Sequence, residues 1–136
     1  MDTLTNRFVN VVKEDAEVAQ VRYDQFVLQL FKVDSREGML NHAVLGIAGE
    51  AGEIVDAVKK HTIYGKDLDT ENLIEELGDI KFYLMALQNI LGISDQEVDQ
   101  ANANKLAKRY KGLTYSDASA IARADKAVQE GDTNVG

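Results

Sequence analysis

Four carboxylates fall in two compact runs of this sequence. Glu50 and Glu53 stand in Gly49-Glu50-Ala51-Gly52-Glu53, and Glu76 and Asp79 in Glu75-Glu76-Leu77-Gly78-Asp79. Within each run the acids are at positions i and i+3, the spacing that makes side chains neighbours on one helix surface. Like charges gathered this closely repel unless something compensates them. A hard divalent cation that prefers oxygen donors is the natural partner. There is no cysteine, and the only imidazoles are His42 and His61, which leaves no thiolate ligand and little for a His-rich zinc site. A bound cation would also reverse the local field, so that an acidic site could receive a phosphate ester. Acid pairs at this spacing are common on solvated helix faces; two of them, each beside an apolar stripe on consecutive helices, argue for a site.

The helices that must position these acids can be read from periodicity. Projected at about 100° per residue, the 39–61 segment places Ala43, Ile47, Ala51, Ile54, Ala57 and Val58 on one apolar arc. Glu50 lies inside that arc, between Ala43 and Ala57, and Glu53 lies at its edge. An unpaired charge in a buried stripe is costly, so Glu50 needs compensation. Gly49 and Gly52 beside it give up as much as ~1 kcal/mol each in helix propensity, which close helix approach or ligand access would explain. In the 71–91 segment Leu73, Leu77, Ile80, Leu84, Leu87 and Leu91 form the expected core stripe, with Glu76 at its border and Asp79 a turn on. Packed antiparallel across a short connector at 63–70, the two helices bring both acid pairs face to face.

Around this pair, the stretch from Leu4 to about Phe31 reads as one long or two shorter amphipathic helices. Ser35 is a candidate cap for the 39–61 helix, which Gly65 follows. Asp69 or Thr70 caps the next helix, and Gly92 ends it. Ser94 with Glu97 is a capping-box signature for a helix over 95–111, closed by Gly112. A short helix is expected over 116–128. No strand is expected, and the fold class is all-α, a four- to five-helix bundle. The division is a single domain, 1–136: N-terminal helices over 1–38, core metal-binding helices over 39–112 and a C-terminal arm over 113–136.

Composition bounds the function. The chain has 136 residues, 45% of them hydrophobic, 7% aromatic and none proline, enough for one aliphatic core. A thin helical domain of this size often completes its core with a second copy, so a homodimer or homotetramer is expected. The net charge of −8 argues against nucleic acid as a partner. Residues 1–13 hold no long apolar run behind a basic region and no run of about 18 apolar residues occurs, so no signal peptide, no membrane partner and a cytoplasmic location are expected.

The run Gly46-Ile47-Ala48-Gly49-Glu50-Ala51-Gly52-Glu53, followed by Ile74-Glu75-Glu76-Leu77-Gly78-Asp79-Ile80, resembles the MazG-like branch of the all-α nucleoside triphosphate pyrophosphohydrolases. The likeness extends from about Leu40 to Lys126. It includes Asn104-Lys105 with Arg109-Tyr110, and a 116–126 stretch similar to small phage-type members. That superfamily's signature is E-E-x-x-E, a spacer, then E-x-x-D. Its first Glu falls on Gly49 here, leaving one carboxylate fewer.

The resemblance implies Mg²⁺, with Mn²⁺ able to substitute, held by Glu50, Glu53, Glu76 and Asp79. It also implies cleavage of a nucleoside triphosphate between its α- and β-phosphates, in nucleotide-pool control or sanitation. Glu53, at the rim of the arc, is assigned as the base that orients water. Lys60, Lys66, Lys105, Arg109 and Arg123 are candidate phosphate contacts, although Lys60 can equally pair with Asp56 at i−4. Tyr83 and Asn104 are candidate base contacts, with core packing the competing role for Tyr83. His42 and His61 read as surface or helix-end residues. The alternatives are a dUTP- or dCTP-directed member of the same superfamily, and a catalytically inactive helical oligomer that binds nucleotides or protein.

Overall fold

The computed structural model describes residues 3–126. The expected C-terminal arm therefore falls partly outside the described residues, beyond Lys126. Two compact units divide at Asp95, one up to that residue and one from Gln96 onward.

The first unit opens with a difference from the expected helices. Strands β1 (Phe8–Val12) and β2 (Val18–Arg22) form an antiparallel hairpin, with Phe8 paired to Arg22 and Val12 to Val18. Helix α1 follows at once and covers only Tyr23–Leu30. The valine-rich composition explains the change. Val9, Val11, Ala19 and Val21 alternate to one half-buried face, and β-branched residues suit a pleated surface. Over so short a stretch the same valines also satisfy helical spacing, so periodicity alone cannot decide.

A strap of N-terminal backbone then fixes α1. The Asp24 carboxylate, 2% exposed, accepts from Arg22 Nε at 2.6 Å, Gln25 N at 2.8 Å and Leu4 N at 3.3 Å. Burial pushes this carboxyl up, but the hydrogen bonds from Arg22, Leu4 and Gln25 together with the Arg22 charge hold it below its ordinary pKa. Asn89 Nδ2 donates to the Asp24 carbonyl at 3.0 Å, which ties α1 to the third helix.

Helices α2 (Arg36–Thr62) and α3 (Thr70–Leu91) are the long elements. Ser35 caps α2 by accepting from Gly38 N at 3.1 Å, and Asp69 caps α3 by accepting from Asn72 N at 3.0 Å. Gly92 ends α3 with φ of 66°, a left-handed conformation that glycine adopts without a Cβ penalty. Val27, Phe31, Ala43, Met85 and Ala86 form the buried centre where α1 lies on α2 and α3. The expected α3 stripe is only half covered, because Leu77, Leu84 and Leu91 stay exposed.

In the second unit, α4 (Asp95–Arg109) ends at a turn around Gly112, and α5 (Asp117–Ala122) follows. Ser116 caps α5 by accepting from Ser119 N at 3.1 Å. Five α-helices among the described residues make the fold all-α in class, with one small hairpin. No helix among them is long and apolar enough to cross a membrane.

Candidate metal centre

Gly46 fixes the register of α2 on α3. With no side chain there, the Tyr83 ring rests against the α2 backbone, and a Cβ built on Gly46 would lie 2.5 Å from the ring's Cγ. Four residues beyond Gly46 is Glu50, and four residues before Tyr83 is Asp79. The helices therefore run antiparallel, and one turn from the Gly46–Tyr83 contact the acids meet. Carboxylate oxygens of Glu50, Glu76 and Asp79 lie within 4.8 Å of one another, with Glu50 and Glu76 half-buried and Asp79 exposed.

This arrangement stores electrostatic repulsion. Partial desolvation pushes the Glu76 carboxyl above its ordinary pKa, and a hydrogen bond shared with Glu50 adds to this. The charges of Glu50, Glu53 and Asp79 push the same way. Two helix backbones hold three acids at this distance, and among the described residues no Lys, Arg or His forms an ion pair with them. The donor set is all oxygen, and a hard dication such as Mg²⁺ or Mn²⁺ fits it.

Glu53 is not in this group. It stands exposed one turn toward the connector, close enough that its charge acts on both Glu76 and Lys60. Beyond it, Lys60 Nζ pairs with Asp56 at 2.7 Å. That hydrogen bond, then the charges of Asp56, Glu53 and Asp69, raise the Lys60 pKa. Lys66 is exposed in the connector, where its backbone N–H bonds the Lys60 carbonyl at 3.1 Å and its carbonyl meets His61 Nδ1 at 2.7 Å. Tyr83 is half-buried, its ring edge-on to His42 at 5.8 Å and to Phe82 at 5.4 Å. This is the packing role weighed for it, one turn from Asp79.

The remaining expected contacts belong to the second unit. Lys105 is exposed on α4, and Asn104 accepts from Gln100 at 2.9 Å. Arg109 is engaged by Asp125, whose side chain is 1% exposed, through Nε at 2.8 Å and Nη2 at 3.1 Å. Such a two-point pair serves to anchor the chain after α5. Arg123 ends α5 with φ of 46°.

Sequence reasoning did not foresee two features beside the acids. Gly46 acts as the seat of Tyr83, and His42 stacks on Phe31 with ring centroids 4.7 Å apart. The available signal was the spacing His42, Gly46, Glu50 at successive fourth positions, which puts all three on one stripe of α2.

The sequence profile of the MazG nucleotide pyrophosphohydrolase domain matches residues 40–114, which include all four acids and most of α2, α3 and α4. The chain belongs to the MazG nucleotide pyrophosphohydrolase family. An 81-residue stretch is 43% identical to the Gene 37 protein of Mycobacterium phage L5, covering 56% of this chain and 69% of the phage protein. No solved structure matches. The β1–β2 hairpin and α1 lie outside the MazG match, whereas the acids, α3 and α2 from residue 40 onward lie inside it.

Proposed function

We propose that this MazG protein is a metal-dependent hydrolase that cleaves a nucleoside or deoxynucleoside triphosphate to the monophosphate and pyrophosphate. The observation that carries the reading is the convergence of Glu50, Glu76 and Asp79 oxygens from two antiparallel helices. Within a nucleotide pyrophosphohydrolase family, that convergence has an immediate use. When bound, Mg²⁺ or Mn²⁺ neutralises polyphosphate charge and lowers the pKa of a coordinated water.

In this reading Glu50, Glu76 and Asp79 hold the cation. Glu53, exposed beside them, orients a water and accepts its proton as the oxygen attacks the α-phosphorus. The bond from the α-phosphorus to the bridging oxygen breaks, and pyrophosphate leaves with the electron pair. Lys60 and Lys66, toward the connector, steady the leaving phosphates. The triphosphate substrate places the activity with the cytoplasmic nucleotide pool, in its control or sanitation. The exposed Leu45, Ile74, Leu77 and Leu84 support a homodimer or homotetramer, in which a second copy covers these side chains.

The direct test is pyrophosphate release from a panel of common and damaged triphosphates with Mg²⁺ and with Mn²⁺. Release of pyrophosphate and monophosphate supports the reading. If orthophosphate is the product instead, the site of cleavage is wrong, and no product under any condition would leave only a binding protein.

A further inference from the structure

The hairpin of α2 and α3 is chemically graded along its length. Lys60 and Lys66 stand at the connector end, the Glu50–Glu76–Asp79 group lies inward from them, and an aromatic group follows. In that last group Tyr83 touches Gly46, His42 meets the Tyr83 ring edge-on at 5.8 Å, and the imidazole stacks on Phe31 at 4.7 Å with 25° between planes. Phe31 is buried, yet His42 is exposed. One face of the imidazole is thus backed by a fixed ring, and the residue remains open to solvent.

Spacing makes this exposure useful. His42, Gly46 and Glu50 are successive fourth residues on one stripe of α2, about 6 Å apart along the axis at ~1.5 Å per residue. Tyr83 follows Asp79 at the same interval on α3. His42 is thus about 12 Å from Glu50 along the axis at ~1.5 Å per residue, a span of the order that the ribose and base of a nucleotide together reach from the α-phosphate. With phosphates over the acids and their tail toward Lys60 and Lys66, the base end extends the other way, past the Tyr83 ring to the imidazole.

We propose that His42 is the nucleobase contact of this enzyme, its imidazole stacking on the base while Phe31 backs it. The proposal rests on the triphosphate reading above and adds to it the residue that holds the base. The stacked ring is tolerant of base identity because every base has a π-face. A His42 that merely covers Phe31 would affect folding stability and nothing else.

The experiment compares the full-length wild type with His42→Ala and His42→Phe in steady-state cleavage of dATP, dGTP, dCTP and dTTP. Inorganic tripolyphosphate, which has phosphates but no base, serves as a competing inhibitor. The expected result for His42→Ala is a KM higher by about tenfold for the preferred nucleotide, with kcat within about twofold and inhibition by tripolyphosphate unchanged. His42→Phe, which keeps a stacking ring, is expected to keep KM within about twofold of wild type. An unchanged KM in His42→Ala overturns the base contact while leaving the hydrolase reading intact, and so does an equal weakening toward tripolyphosphate. A wild type that cleaves no nucleotide overturns both. Melting temperatures of both variants, with the assays run well below them, separate a binding defect from a folding one.

Discussion

Substituting alanine for three glycines of α2 should move stability in opposite directions. A methyl on Gly46 would meet Cδ1, Cε1 and Cγ of Tyr83, the last at 2.5 Å, whereas carbon atoms settle at about 3.5–4.0 Å. Roughly 1 Å must therefore come from tilting the ring or parting the helices. The ring has little freedom, with the edges of His42 and Phe82 beside it at 5.8 and 5.4 Å. Overpacking of this kind costs ~1–3 kcal/mol, and the gain in helix propensity returns up to ~1 kcal/mol. Gly46→Ala should thus lose ~0–3 kcal/mol. At Gly49 and Gly52 nothing lies within 4 Å of an added Cβ, so Gly49→Ala and Gly52→Ala should each gain up to ~1 kcal/mol. Propensity cancels in the difference between Gly46→Ala and Gly49→Ala, which leaves the overpacking cost of ~1–3 kcal/mol. Urea denaturation with a common m-value would measure it. Equal stability of these two variants would refute the seating of Tyr83 on Gly46.

Glu76→Gln should raise the melting temperature of the metal-free protein at pH 7. The folded pKa of Glu76 is raised, so its ionisation disfavours the folded state as pH climbs through that pKa, and the amide removes the penalty. The same variant should lose the Mg²⁺-induced rise in melting temperature. Asp24 and Asp95 have the opposite sign, since both folded pKa values are depressed. Their contribution is present above the ordinary carboxylate pKa and disappears as pH falls through the folded values. Asp24→Asn should therefore flatten the acid limb of a stability–pH curve, and at pH 7 it should cost ~1.5–3 kcal/mol by removing the charged acceptor that Arg22 faces. Arg109→Lys cannot reproduce the two-point grip on Asp125. Faster amide hydrogen exchange across residues 111–126, with pyrophosphate release little changed, is the expected outcome.

The acid-bearing helices were legible because caps and periodicity agreed. Ser35, Asp69 and Gly92 act where their types suggested, and Glu50 sits half-buried within an apolar arc as projected. Two things could not be read from one dimension. The valines of 8–22 satisfy both helical and strand spacing, and only pairing across the Lys13–Glu17 turn selects the hairpin. Glu53 shares the i, i+3 spacing with Glu50, yet membership of the acid group depends on the α2–α3 register, which Gly46 and Tyr83 set across the helices. Arg109 likewise carries no sequence mark to show that its partner is Asp125, 16 residues on.

Everything functional depends on acids from α2 and α3 sharing one divalent cation, and Mn²⁺ titration followed by electron paramagnetic resonance measures that without any substrate. Wild type should bind Mn²⁺ and exchange it for Mg²⁺, while Glu50→Gln, Glu76→Gln and Asp79→Asn should each weaken binding by on the order of tenfold or more. Unaltered Mn²⁺ affinity in all three variants, each shown to be folded, would contradict the account.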